Sequence, residues 1–202
     1  PPGNGTPIPR TPDGRADLSG FWNKSTHPNT SAPVEPLPFT TEGLKAFNDV
    51  ANLIDPTGRC LFPGIPRMNS SPYPMEIIQL PDRVIFLYEY MHNFRVIWTD
   101  GREHRPTWPT TLMGDSIGRW EDDTLVVDTV GYNDKFWMDS RGTPHTEQLH
   151  TVERYTRASW GSLRHVFLLD DPGAFSRPVT MEFRARLLRP DLTVGGGELM
   201  EF

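Results

Sequence analysis

The chain has 202 residues and only one cysteine, Cys60. A single thiol excludes an internal disulfide framework and any cysteine-rich zinc centre. No apolar stretch approaches the ~18 residues a membrane-crossing helix needs, so no membrane span is expected. Basic runs are missing too: 20 Lys and Arg stand against 26 Asp and Glu, a formal charge of −6. That balance offers nucleic acid or an anionic membrane surface nothing to hold. Nor is there a G-x-G-x-x-G after a strand, a phosphate-binding loop, an H-x-H or an H-E-x-x-H pattern. The expectation is therefore a protein without cofactor and without metal.

Proline is what the chain has in excess. Of 21 prolines, nine fall in residues 1–40. Proline fixes φ and removes a donor, which speaks against helix or central strand there. Residues 1–40 read as an extended arm anchored by Phe21 and Trp22, and 41–202 as the folded domain. Six tryptophans and 11% aromatic residues require burial or stacking, so the domain has a packed core.

One short helix is expected at the start of that domain. Thr40 or Thr41 supplies a cap, Leu44, Phe47 and Ala51 recur at helical spacing, and Asp55-Pro56 stops it. Gly43 weakens the helix. Residues 56–74 read as loop, with Cys60 as a buried small hydrophobe beside Leu61 and Phe62. From residue 75 the period changes to two, giving strands over 75–80, 83–91, 94–99, 124–130, 148–156, 163–169 and 179–188. The last alternates cleanly: Val179, Met181, Phe183, Ala185 and Leu187 on one face, Thr180, Glu182, Arg184 and Arg186 on the other. Sequential strands with short turns form an antiparallel meander, closed into a barrel or folded into a sandwich, and the barrel is the preferred form.

Two resemblances add to this. Gly20-Phe21-Trp22, after Asp17-Leu18-Ser19, resembles the Gly-x-Trp at the start of lipocalin and calycin barrels, where the tryptophan plugs one end. It implies a lipocalin-like, all-β barrel. More of the chain is involved in the second. Arg10-Thr11-Pro12-Asp13-Gly14-Arg15-Ala16-Asp17-Leu18-Ser19-Gly20 leads on to Asp55-Pro56, Cys60, Pro63, Gly64, Pro66 and Arg67. Asp100-Gly101-Arg102, Gly114-Asp115-Ser116-Ile117-Gly118-Arg119-Trp120-Glu121-Asp122-Asp123-Thr124-Leu125-Val126-Val127-Asp128-Thr129 and Gln148-Leu149-His150-Thr151-Val152-Glu153-Arg154-Tyr155 complete it. Together they resemble a group of uncharacterised soil-bacterial proteins, often exported, with no secure activity to carry over. Four N-x-Ser/Thr sequons, at Asn4, Asn23, Asn29 and Asn69, give weight to a secreted or periplasmic location. So does a start at Pro1-Pro2 without methionine, which reads as a trimmed form.

Several patterns fail on context. Gly114-x-Ser116-x-Gly118 matches a nucleophile elbow, but a strand follows where the elbow needs a helix; its glycines suit a tight bend. His145, Glu147, His150 and Glu153 are dense in ligand types, yet His150 and Glu153 alternate to opposite faces of one strand. Trp120-Glu121-Asp122-Asp123 lacks the spacing of a calcium loop.

The informative signal is charge inside apolar strands. Glu89, Arg95, Asp128, His150, Glu153 and Arg154 sit among Val, Leu, Phe and Trp, as polar groups do in a ligand-binding lumen. Glu89 with Arg95 across the His92-Asn93 hairpin fits a cross-strand ion pair. The first functional expectation is a cofactor-independent acid–base enzyme performing dehydration, isomerisation or cyclisation on a small, largely apolar molecule. Glu89 and His150 would be acid and base and Arg95 an oxygen holder. Tyr90, Trp98 and Trp120 would form walls, with Asp128, Glu153 and Arg154 also contacting substrate. The second is a non-catalytic binder of a small hydrophobic ligand. The third is a carbohydrate-binding β-sandwich with Trp108, Trp137 and Trp160 as a platform. A homo-oligomer stays open.

Overall fold

The computed structural model describes residues 5–24, 36–50 and 53–188. Its elements are β1 (Gly20–Asn23), α1 (Thr41–Asp49), α2 (Ile65–Ser70), β2 (Met75–Gln79), β3 (Arg83–Tyr88), β4 (Asn93–Trp98), β5 (Asp115–Glu121), β6 (Thr124–Val130), β7 (His150–Ser159), β8 (Ser162–Asp170) and β9 (Val179–Leu187). The nine strands close a barrel in sequence order. This is the all-β barrel expected from the period-two pattern.

Two joints in the barrel are thin. β4 and β5 run parallel and share one residue pair, Trp98 with Ile117. A parallel neighbour requires the chain to return to its starting end, and residues 99–114 make that crossover along the outside. β5 itself was not expected as a separate strand. It begins where Gly114 turns with φ +68, the tight bend its glycine suits. The other thin joint is β1 with β9, paired only through Trp22–Leu187 and Asn23–Arg186.

β1 comes from within the proline-rich arm. The nine arm prolines leave residues 13–27 free of proline, and β1 occupies that window, with every backbone donor available to the ladders on both sides. Trp22 is fully buried, and its indole N–H donates to the Leu18 carbonyl at 2.9 Å. The Arg157 guanidinium lies 5.1 Å over the Trp22 ring and donates to the carbonyls of Asp17 and Trp160. Arg10 and the Ala16 N–H both reach Asp123 in the β5–β6 turn. These contacts tie the arm across the end of the barrel holding the β2–β3, β5–β6 and β7–β8 turns.

The expected helix is present. Thr40 caps α1, its hydroxyl accepting from the Gly43 N–H. Gly43, unfavourable by propensity, is required by packing: a Cβ there would stand 2.1 Å from the Ala174 carbonyl oxygen. Within the segment read as loop, Ile65–Ser70 forms the short α2, with proline in its first turn, where a missing N–H costs nothing. Cys60 corrects an expectation. It is exposed, ending a 3-10 turn in the left-handed conformation, and its neighbours Leu61 and Phe62 are exposed with it. Among the described residues, no helix is long and apolar enough to cross a membrane.

Alternation along the strands divides inside from outside. On β9, Val179, Phe183 and Ala185 are buried, Met181 and Leu187 are half-buried, and Arg184 and Arg186 are exposed. The interior holds two apolar clusters. One, around Trp22, Phe86, Ile97 and Leu125, fills the end closed by the arm. The other, around Ile65, Phe167, Phe175 and Phe183, lies at the end covered by α2 and the β6–β7 loop.

Candidate functional site

Near the α2 end, the lumen contains a polar network between the apolar clusters. Arg95 on β4 and Glu153 on β7 form an ion pair at 2.6 Å, with side-chain exposures of 2% and 0%. The remaining Arg95 donors reach Ser116 (3.0 Å) and Thr129 (2.7 Å). Glu153 also accepts from the Asn69 amide at 2.7 Å and the Tyr155 hydroxyl at 2.5 Å. His165 Nε2 sits 3.0 Å from Glu153 but out of hydrogen-bond alignment. Burial would push the Glu153 carboxyl up, but Arg95, with His165 and Tyr155, overrides this and holds it at about 2. Burial lowers the His165 pKa despite the adjacent carboxylate.

Lys24, just past β1, also points inward. Its ammonium donates to the carbonyls of Met68 (2.8 Å) and Asn69 (3.2 Å) at the end of α2. Burial lowers its pKa to about 7, against the pull of Glu153. Asn69 is buried with its amide on Glu153, so that sequon is sequestered in the core; Asn4 and Asn29 lie outside the described residues.

The site residues expected from sequence do not come together in one place. Arg95 and Glu153 share the lumen. Asp128 and His150 meet on the outer face, with His150 Nε2 3.0 Å from the carboxylate. The crossover adds His104, whose ring nitrogens contact Asp115 (3.3 Å) and Asp128 (2.8 Å), while Arg105 pairs with Asp115. This cluster fastens the crossover to the barrel wall. Nothing in the local pattern around His104 signals it.

Glu89 lies beyond the end of β3, leading into a 3-10 turn at Tyr90–His92, so the expected Glu89–Arg95 pair is replaced by Arg95–Glu153. The register explains why: Arg95 stands opposite Phe86, and Phe86 faces inward whereas residue 89 has the parity of the outward Ile85 and Leu87. Tyr90 stacks on Tyr73 with centroids 5.2 Å apart. Trp98 faces outward, flanked by Arg83 at 4.6 Å and Arg102 at 3.8 Å. Arg154 is exposed on Glu121 at 2.6 Å. Trp120 does turn inward, at the arm-closed end. Trp98, Asp128, His150 and Arg154 therefore do not line the lumen. Ser116 is buried in β5, hydrogen-bonded to Arg95 and Thr129, a strand position and not an elbow. His145 is bonded to the Phe136 and Thr146 carbonyls. Among the described residues, no group of three or more His, Cys, Asp or Glu is arranged for a metal ion.

A partly enclosed cavity of about 290 Å³ lies elsewhere in the barrel. β1 stops opposite Arg186, so the first half of β9 has no strand beside it on that flank among the described residues. The space is walled by Leu169, Phe175, Val179, Met181 and Phe183, with Pro66 and Met138 opposite. At its rim stand Asp139, Ser140, Arg141 and Thr143 from the β6–β7 loop. Asp139 organises that loop, accepting from Arg141 and Thr143. The Arg141 contact and the Thr143 hydrogen bonds hold its carboxyl below the usual range despite desolvation. Met181 and Phe183 were visible in sequence as an inward face; the rim loop was not, because its position follows from the barrel's closure.

Comparison with family models, with curated proteins and with solved structures finds no match to the chain.

Proposed function

We propose that this protein binds a small, largely apolar organic molecule in the cavity beside β9. The observation that carries the reading is the cavity itself: a mainly apolar lining from β8, β9, α2 and the β6–β7 loop, with polar side chains supplied by Ser70 and by Asp139, Ser140, Arg141 and Thr143. Ligand sites have this make-up, and about 290 Å³ falls just under the usual ~300–1,000 Å³ range. The interior ion network is poorly suited to proton transfer, because a carboxyl held at about 2 stays ionised at neutral pH. Its role is to brace β4, β5, β6 and β7 around the lumen.

Isothermal titration with octan-1-ol tests the reading. Binding is expected to the unaltered chain and to be lost in Met181→Trp, whose indole fills the cavity. Binding that survives Met181→Trp, or no binding at all, refutes it.

A second reading, acid–base catalysis, is favoured by Lys24. With a pKa near 7, its amine exchanges a proton in the range such chemistry needs. Turnover of a bound ligand that disappears in Lys24→Met while ligand affinity holds would support it. Turnover unaffected by that substitution would exclude Lys24 as the base.

A further inference from the structure

The rim of the cavity discriminates between head groups, an inference that rests on the cavity being a ligand site. Two of its lining side chains carry charge, Asp139 and Arg141. Asp139 is saturated. Its Oδ1 accepts the backbone N–H groups of Arg141 (2.8 Å) and Thr143 (3.1 Å). Its Oδ2 accepts Arg141 Nε (3.0 Å), Arg141 Nη2 (2.8 Å) and the Thr143 hydroxyl (2.8 Å). A carboxylate offers about four lone-pair sites, so five donors leave nothing for an incoming donor.

Arg141 is in the opposite condition. Its Nη1 has no partner among the described residues, and 56% of its side chain is exposed. The double contact with Asp139 Oδ2 fixes the plane of the guanidinium, so little ordering remains when a ligand arrives. Beside it the Ser140 hydroxyl is likewise without a partner among the described residues. The rim therefore presents donors and no vacant side-chain carboxylate acceptor, above walls that hold only an apolar body.

We infer that the molecule bound here is an apolar monocarboxylate, its body against Met181 and Phe183 and its carboxylate on Arg141 Nη1 and Ser140. An amine head would face a cation and a saturated carboxylate. An alcohol fits the walls but forms no ion pair with the guanidinium. Because Arg141 is half exposed, the gain from that bond is modest, about fivefold in affinity.

The test uses octanoate, octan-1-ol and octylamine at pH 8 with the full chain, titrated calorimetrically against the unaltered protein, Arg141→Met, Arg141→Lys and Ser140→Ala. The expected pattern is octanoate bound more tightly than octylamine. Arg141→Met should weaken octanoate about fivefold while octan-1-ol is unchanged, Arg141→Lys should keep most of the octanoate affinity, and Ser140→Ala should cause a smaller selective loss. Equal weakening of acid and alcohol, or no change in either, overturns the head-group inference and leaves the cavity standing. Failure of all three probes to bind the unaltered protein overturns both.

Discussion

Removing the Arg95 guanidinium should be among the most damaging single changes in this barrel. The ion pair with Glu153 is almost fully buried, at 2% and 0% side-chain exposure. Arg95→Met leaves a charged carboxylate in the lumen with the Asn69 amide and Tyr155 hydroxyl but no cation at contact distance. Breaking a buried pair from one side costs about 3–5 kcal/mol. The pKa agrees in direction: against the burial that raises it, Arg95 is the largest influence holding the Glu153 carboxyl down. A chain of this length unfolds in urea with a slope of roughly 2–3 kcal/mol per molar, so the midpoint should fall by about 1–2.5 M. Glu153→Gln added to Arg95→Met should restore part of the loss, since the orphaned charge disappears and the amide oxygen still accepts from Asn69. The sign of the pH effect follows as well. Glu153 is depressed in the folded state, so its contribution is complete above about pH 4.5 and drains away as pH falls toward 2; Glu153→Gln should flatten that decline. A loss below about 1 kcal/mol in Arg95→Met, or a double variant that loses the sum of the two singles, would refute this account.

Two further outcomes are expected. Lys24 titrates near 7 when folded against an ordinary 10.5, so the unfolded chain holds the extra proton between those values and stability should climb as pH rises from 7 to 10. Thermal melts of Lys24→Met should lose that climb; an unchanged slope would count against the buried amine. Gly43→Ala, which in an open helix gains about 1 kcal/mol, should instead destabilise by at least that much in urea titrations, because the new Cβ meets the Ala174 carbonyl at 2.1 Å. Neutrality or stabilisation would show that α1 has room to shift.

Most strands were legible because a strand states its period locally. The run from Val179 to Leu187 alternates whatever it packs against, and parity alone separates Glu153 from His150 and Arg154, or Arg95 from Trp98. Thr40 announced α1 through its own hydroxyl, whereas β1 contradicts the reading of residues 1–40 as an arm without central strand, because it falls where prolines are absent and pairs on both sides. What parity cannot supply is which face is the lumen or which partner lies across it. Arg95 and Glu153 are 58 positions apart, and only barrel closure sets them together; Glu89, near Arg95 in sequence, lies past the end of β3 with the parity of its outward residues. Cys60 looked buried beside Leu61 and Phe62, but apolar neighbours in a turn have no sheet to carry them inward. Among the described residues the cavity lies where β1 has ended and β9 runs on, and its rim comes from the loop joining β6 to β7. Local chemistry wrote the elements into the sequence. Their pairing joins residues far apart in the chain, and with it the site, which only the tertiary structure decides.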